Sequence, residues 1–271
     1  MRLFLHMGPH KTGTTSLQAM LRRNADALGD GIKVIVPGSE SPIKPLAQVM
    51  WRFSMGRADW SEVQAEVVET TQMLRATDAE TLIVSHENLC GAMMGSGTET
   101  AFYPHLSRFM DCFDRHLNGV APEYVFYQRD SAQWLKSVHN QVVKQNLYAD
   151  DLTHFLAGTD QPDWSGIAGL SRPGRQVHLF DLADEPDRAR PGQQLLRLVG
   201  LDDDRIAALK PVPDMRNESL SVGALEFMRI INALRIDQAT RRQIMNQVIA
   251  RPELFDTLSR ALMPQPAEAS P

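Results

Sequence analysis

The chain has 271 residues, of which 43% are hydrophobic, so it is long enough to bury a sizeable core. Its 28 Lys and Arg against 33 Asp and Glu give a formal net charge of −5, which argues against nucleic acid as a partner and requires that any anion site be local. Two cysteines are too few for a disulfide framework or a cysteine-based metal site.

No apolar run reaches the roughly 20 residues that span a bilayer, and the short one at the N-terminus runs directly into a Gly/Lys/Thr segment. The sequence therefore predicts a soluble protein with no transmembrane segment and no secretion signal. The cytoplasm is the expected location, since the cysteine content fits a reducing compartment.

Strands and helices alternate along the sequence. Short apolar runs predict strands over residues 2–7, 32–36, 81–85, 124–127 and 177–180. Helical spacing predicts helices over 16–27, 102–117, 132–145, 192–199 and much of 222–262, with two more between 45 and 75. This order favours one three-layer α/β/α domain over residues 1–262, with a mostly parallel sheet, a helical C-terminal region and a disordered tail over 263–271.

A segment rich in glycine and threonine, GPHKTGTTS over residues 8–16, lies between the first predicted strand and the first predicted helix. Gly8 and Gly13 let the backbone curl around an anion, toward which successive N–H groups and the helix N-terminus point. Lys11 adds a full positive charge. Further hydroxyl donors come from Thr12, Thr14, Thr15 and Ser16.

The loop departs from the nucleoside triphosphatase pattern GxxxxGK[ST]. The spacing of Gly8 and Gly13 is kept, but the lysine precedes the second glycine, and Thr14 follows it. No pair of Mg²⁺ ligands is evident. An ordinary ATPase or kinase is therefore disfavoured, and a small-molecule kinase of the P-loop class stays as an alternative.

The stretch HKTGTTSLQ resembles the 5′-phosphosulfate loop of the sulfotransferase superfamily, whose members carry a K-[ST]-G-T-T pattern after the first strand. The resemblance implies a fold like that of P-loop nucleotide hydrolases. It also implies 3′-phosphoadenosine-5′-phosphosulfate (PAPS) as co-substrate, the 3′,5′-bisphosphate PAP as product, and no metal. Residues His10 to Ser16, including Gly13, would then contact the donor, and Lys11 would stabilise the leaving oxygen.

A second motif lies at the end of the strand YVFY. Arg129 follows the strand, and Ser137 lies eight residues further on in the predicted helix, a spacing that resembles the superfamily's 3′-phosphate motif. The guanidinium fork suits a phosphate. The alternative is a surface arginine paired with Asp130. Arg216 and Asn217 resemble a third contribution, to the 3′-phosphate or adenine, although the same stretch also fits a helix N-cap.

Candidate bases follow the strand TLIVS, where His86 and Glu87 stand at the carboxyl edge of the sheet. Cytosolic sulfotransferases use a histidine in a similar place and glycan-modifying relatives a glutamate. Consecutive strand-end residues point in opposite directions, so one of the two faces the sulfonate. We predict that Glu87 is the base and His86 an auxiliary. Alternatively, Glu87 caps the turn at Asn88.

The sequence thus predicts a sulfotransferase that moves a sulfonate group from PAPS to an acceptor hydroxyl, with a carbohydrate or glycolipid favoured over a peptide tyrosine, a small phenol or a lipid alcohol. A non-catalytic nucleotide-binding protein is the second alternative, but it would be expected to lose Lys11, Arg129 or the strand-end acid. The acceptor pocket is expected in the loops 39–44, 91–100 and 148–164. The sequence does not set the oligomeric state, and the C-terminal helices could form an interaction module.

Overall fold

The computed structural model describes residues 1–97, 99–145, 147–213, 219–251 and 254–255. The chain divides into two compact units. The first comprises Met1–Trp134 and Asp160–Arg216, and the second Leu135–Thr159 and Asn217–Pro271. Among the described helices, none combines the length and the apolar character that a membrane span requires. The predicted tail over 263–271, with Arg216 and Asn217, lies outside the described residues.

A five-stranded sheet forms the centre of the first unit. Its strands are β1 (Arg2–His6), β2 (Ile32–Ile35), β3 (Thr81–Ser85), β4 (Pro122–Gln128) and β5 (Gln176–Asp181). They are all parallel and lie in the order β2-β3-β1-β4-β5. Every residue of β3 is buried, which explains its unbroken apolar sequence, because the inner strands of a parallel sheet are covered on both faces.

Helices connect the strands and continue the chain after β5. They are α1 (Thr14–Arg23), α2 (Lys44–Ser54), α3 (Trp60–Ala76), α4 (Leu106–His116), α5 (Ser131–Gln145), α6 (Leu152–Ala157), α7 (Trp164–Ala168), α8 (Gln193–Val199), α9 (Asp203–Ala208), α10 (Val222–Ala233) and α11 (Gln238–Ala250). The predicted strands and the longer helices are confirmed. The short helices α6, α7 and α9 carry too few residues for their apolar spacing to reveal them.

The two faces of the sheet carry different helices. Phe4, Ile83 and Val125 point to one face, where α1, α8 and α9 cover them with apolar side chains. On β4 the adjacent residue, Tyr124, points to the other face, where its hydroxyl lies 3.1 Å from the carbonyl of Met110 in α4. The predicted three-layer α/β architecture is therefore confirmed.

The connections after β1 and β3 leave the sheet toward opposite faces. The chain after β1 enters α1 on one face, whereas the chain after β3 leads to α4 on the other. When the connections after two adjacent parallel strands lead to opposite faces of the sheet, a crevice opens at the carboxyl ends of those strands. Ligands of open α/β sheets bind in this crevice. The fold thus directs attention to the carboxyl ends of β1 and β3.

The second unit has its own small core. Val143, Ala224, Met228 and Val248 are buried together, and they join the end of α5 to α10 and α11. The side chain of Asn232 donates to the carbonyls of Val143 and Tyr148. The helical C-terminal region that the sequence predicted is present over Val222–Ala250, as two helices.

Candidate active site

The segment after β1 turns sharply because three of its residues have positive φ angles. These are Gly8 at 103°, Lys11 at 65° and Gly13 at 82°. A Cβ atom on Gly8 would lie 3.2 Å from the Cα atom of Glu87, and one on Gly13 would lie 3.1 Å from the Leu182 side chain. Both glycines are therefore required for the backbone conformation and for close approach.

Three consecutive carbonyls of this loop accept hydrogen bonds from side chains. The Pro9 carbonyl accepts from Thr12 Oγ1 at 2.6 Å, the His10 carbonyl from Trp134 Nε1 at 2.8 Å, and the Lys11 carbonyl from Arg129 Nη1 at 3.3 Å. Their lone pairs are thus directed to donors of the protein. The Thr12 hydroxyl proton is used inside the loop, so Thr12 offers its N–H group to a ligand.

The backbone N–H groups of Thr12, Gly13 and Thr14 differ from these carbonyls. Within the described part of the chain, the N–H groups of Thr12, Gly13 and Thr14 donate to no acceptor. Gly13 caps α1 without a side-chain hydrogen bond, and the first turn of α1 holds no acidic residue. N–H groups without a protein acceptor at the positive end of a helix form an anion site, because they are strong donors and no acceptor of the protein competes with the anion for them.

The predicted donor-contacting hydroxyls of α1 differ in accessibility. Thr14 is buried, Ser16 is half-buried and Thr15 is exposed. Lys11 is half-buried beside them. The loop therefore combines backbone donors, hydroxyls and one full positive charge over a few residues, which suits a phosphate or sulfate group.

Arg129 adds a second cation to the loop. Besides Lys11, its guanidinium contacts Gln133 Oε1 at 3.2 Å, and no carboxylate of the described residues lies within ion-pair distance of it. Asp130, the partner that the alternative interpretation gave it, accepts the N–H of Gln133 at the start of α5. Burial lowers the pKa of Arg129, and Asp130 partly offsets that effect. Ser137 is half-buried on α5, in the part of that helix that belongs to the second unit.

Glu87 lies directly against the loop at Gly8. Its Oε2 atom accepts a hydrogen bond from Gln18 Nε2 at 2.9 Å. Burial raises the pKa of the Glu87 carboxyl, but His10, the Gln18 hydrogen bond and His86 together bring it below its ordinary value. The carboxylate is therefore ionised at neutral pH and half-buried beside the proposed anion site.

His86 performs a different task. Its Nδ1 atom accepts the N–H of Asn88 at 3.2 Å, so His86 and not Glu87 caps the turn at Asn88. Since Nδ1 is an acceptor, the neutral ring carries its proton on Nε2. Burial lowers the pKa of His86, partly opposed by Glu87. The histidine is therefore a donor through Nε2 and not a ready base.

His10 is half-buried in the loop and does not point to solvent. Its ring lies between Tyr103 and Asn88, with Nδ1 2.9 Å from the Tyr103 hydroxyl and Nε2 3.0 Å from Asn88 Oδ1. Trp134 is fully buried. Sequence reasoning missed Tyr103 and Gln18. Gln18 lies four residues after Thr14, a spacing that places both on one side of α1, whereas nothing in the sequence marks Tyr103.

Comparison with solved structures finds a sulfotransferase from Alicyclobacillus acidocaldarius. The TM-score is 0.41 at 14% sequence identity, and the match covers 89% of this chain and 99% of that chain. No protein-family model matches the sequence, and no curated protein matches it. The assignment of a function therefore depends on the residues of the site.

Proposed function

We propose that the protein is a PAPS-dependent sulfotransferase that acts on an acceptor hydroxyl, with a carbohydrate or glycolipid as the favoured class. The observation that carries the proposal is the polarity of the loop after β1. Its carbonyls accept hydrogen bonds from Thr12, Trp134 and Arg129, while the N–H groups of Thr12, Gly13 and Thr14 have no acceptor among the described residues. This arrangement supports binding of the donor's 5′-phosphosulfate.

The position of the lysine favours sulfonate transfer over a kinase reaction. Lys11 lies before Gly13, in the curled part of the loop, rather than at the first position of the helix. In the proposed reaction it stabilises negative charge on the bridging oxygen between phosphorus and sulfur as that oxygen leaves. Arg129, with Ser137, Arg216 and Asn217, is proposed to hold the 3′-phosphate and the adenosine.

Glu87 is proposed as the general base. It removes the proton from the acceptor hydroxyl as the hydroxyl oxygen attacks the sulfur atom. The bond from sulfur to the bridging oxygen breaks, and that oxygen keeps the electron pair and becomes a 5′-phosphate oxygen of PAP. The sulfonate stays on the acceptor oxygen as a sulfate ester, and Glu87 holds the acceptor proton. His86, a donor through Nε2, is the proposed auxiliary that orients the acceptor. The protein contributes positioning, one proton transfer and electrostatic stabilisation.

A transfer screen tests this proposal. Purified protein is incubated with labelled PAPS and with separate panels of carbohydrate, glycolipid, phenolic and lipid-alcohol acceptors, and labelled product is measured. We expect transfer to at least one panel, its loss in Lys11→Ala, and its strong reduction in Glu87→Gln. Binding of PAP without transfer to any class would favour a non-catalytic nucleotide-binding protein, and phosphoryl transfer from ATP would favour a kinase.

A further inference from the structure

All four polar atoms of His10 are hydrogen-bonded within the first unit. The backbone N–H donates to the Tyr103 hydroxyl at 2.9 Å, and the carbonyl accepts from Trp134 Nε1. The two ring nitrogens contact the same Tyr103 hydroxyl and Asn88 Oδ1. Because each of its polar atoms already has a partner in the protein, His10 is fixed in position and has no polar atom left over for a ligand.

These contacts also assign the proton of the ring. The Tyr103 hydroxyl accepts the His10 N–H, so it directs its own proton to Nδ1. The proton of the neutral imidazole then lies on Nε2, where it is donated to the side-chain oxygen of Asn88. Burial lowers the pKa of His10; Glu87 and the Asn88 hydrogen bond oppose this, and His86 and Lys11 reinforce it. The imidazole is therefore neutral, and both of its nitrogens are hydrogen-bonded, one to Tyr103 and the other to Asn88.

Tyr103 is itself held under strain. It is buried and adopts a φ angle of 48°, in the left-handed region that non-glycine residues rarely adopt. Its neighbour Phe102 packs edge-on against Trp134 and Trp164, with ring centroids 5.3 and 5.0 Å away. Because Trp134 also donates to the His10 carbonyl, the residues His10, Tyr103, Phe102 and Trp134 form a closed ring of contacts.

The hydrogen bond between His10 and Asn88 joins the two segments that carry the proposed catalytic residues. His10 immediately precedes Lys11 in the loop, and Asn88 immediately follows Glu87 in the turn after β3. The two segments come from different strands, and residues 78 positions apart are joined by the hydrogen bond between His10 and Asn88. The ring of His10 therefore sets the separation between the lysine segment and the carboxylate segment.

We propose that Tyr103 is a positioning residue that, together with Asn88, holds His10 as a neutral strut between Lys11 and Glu87. The consequence for transfer rests on the proposed function, whereas the state of the histidine does not. Without the Tyr103 hydroxyl, Nδ1 and the N–H of His10 lose their partner. The loop would still bind an anion through Thr12, Gly13 and Thr14, but the lysine and the carboxylate would no longer be held in one geometry.

The test compares Tyr103→Phe with Tyr124→Phe. Tyr124 is the matched control, because it is a buried tyrosine of the same unit whose hydroxyl donates to Asp114 Oδ1 at 2.7 Å, away from His10. Histidine NMR of the intact protein reports the tautomer and titration of His10, calorimetry reports PAP affinity, and labelled transfer reports kcat.

In the unaltered protein and in Tyr124→Phe, we expect His10 to stay neutral with its proton on Nε2 between about pH 5.5 and 7.5, a range about one unit either side of an ordinary histidine pKa. In Tyr103→Phe, we expect Nδ1 to become protonated as the pH falls, and kcat to drop by about 10- to 100-fold while PAP affinity is retained. Ordinary titration of His10 in the unaltered protein, or an unchanged kcat in an active Tyr103→Phe variant, would overturn the inference. Absence of transfer in the unaltered protein contradicts the proposed function instead, and the NMR result then decides on the strut alone.

Discussion

Gln18 in α1 donates a hydrogen bond to Glu87 Oε2 across 2.9 Å, which links the helix that follows the proposed donor-binding loop to the carboxylate that follows β3. The two residues are 69 positions apart in the sequence. The contact orients one oxygen of Glu87 and stabilises its charged form, because a hydrogen bond to a carboxylate favours ionisation. The geometry of the proposed base thus depends on α1, the helix whose first turn is proposed to bind the donor.

Changing Gln18 should therefore move the acid side of the pH–activity profile. In the proposed reaction Glu87 acts in its ionised form, so activity should fall as the pH drops through the pKa of Glu87. Gln18→Met removes the stabilising hydrogen bond, and Gln18→Glu replaces it with a like charge, so both substitutions should raise the pKa of Glu87. The acid side of the pH–activity profile should therefore move to higher pH, further for Gln18→Glu than for Gln18→Met, and by at least about one unit for Gln18→Glu. The measurement is kcat against pH for the three proteins, and an unmoved acid side in Gln18→Glu would show that Glu87 is not the titrating base.

Glu87→Gln keeps the size of the side chain and its ability to contact Gln18, but it cannot accept a proton. We predict a fall in kcat of about 10²–10⁴-fold with PAP affinity nearly unchanged. His86→Asn should cost less, because the His86 Nδ1 atom already accepts the Asn88 N–H and is not a ready base. Steady-state kinetics with calorimetry separate the two effects. A silent Glu87→Gln together with an inactive His86→Asn would exchange the two roles.

Arg129→Ala should weaken PAP more than adenosine 5′-phosphosulfate, since only PAP carries the 3′-phosphate that Arg129 is proposed to hold. A lost charge-assisted phosphate contact lowers affinity by about 10- to 100-fold. Arg129→Ala should also lower the affinity for both ligands by a smaller factor, because Arg129 donates to the Lys11 carbonyl at 3.3 Å and so supports the loop. Calorimetric titration of both ligands measures the difference, and equal losses would restrict Arg129 to supporting the loop.

His6 makes the stability of the fold sensitive to acid. It is fully buried on β1, with Nδ1 2.7 Å from Ser85 Oγ, and burial lowers its pKa to about 4, with Glu87 opposing that effect. In the unfolded chain a histidine takes up its proton near pH 6.5, so the unfolded state binds more protons between these two values. Stability is therefore retained above about pH 6.5 and lost progressively below it.

At pH 5 the loss from His6 amounts to about 2 kcal/mol in the free energy of unfolding. His6→Asn should lack this part of the pH dependence. Chemical unfolding of both proteins at pH 7 and pH 5 measures it, and the comparison uses the change between the two pH values, so any general destabilisation by the substitution cancels. The same change in both proteins would contradict the assignment of a buried neutral histidine.

The sheet could be predicted from the sequence because its inner strands are continuous apolar runs. The segment before α4 could not, since the aromatic residues at 102 and 103 fit a helical pattern and the helix was predicted to begin at 102. It begins at Leu106. Phe102 packs against Trp134 and Trp164, and Tyr103 adopts a positive φ angle, so tertiary contacts override the local pattern.

The candidate site was predictable where it depends on a local motif. The loop around Lys11, the arginine after β4 and the acid after β3 could each be placed from spacing and strand ends. Tyr103 could not, because its contact with His10 joins residues 93 positions apart and no short pattern encodes it. The hydrogen bond from the Trp134 indole to the His10 carbonyl, 124 positions away, likewise followed only from the structure.

Calorimetric titration with PAP and with ATP, each in EDTA and in Mg²⁺, tests the central claim most directly. The loop offers backbone N–H groups, Lys11 and Arg129 to the ligand and no carboxylate pair for a cation. We predict micromolar binding of PAP that chelator does not change, corresponding to about −8 kcal/mol, and much weaker binding of ATP under both conditions. Tight Mg²⁺-dependent binding of ATP with none of PAP in EDTA would contradict the account.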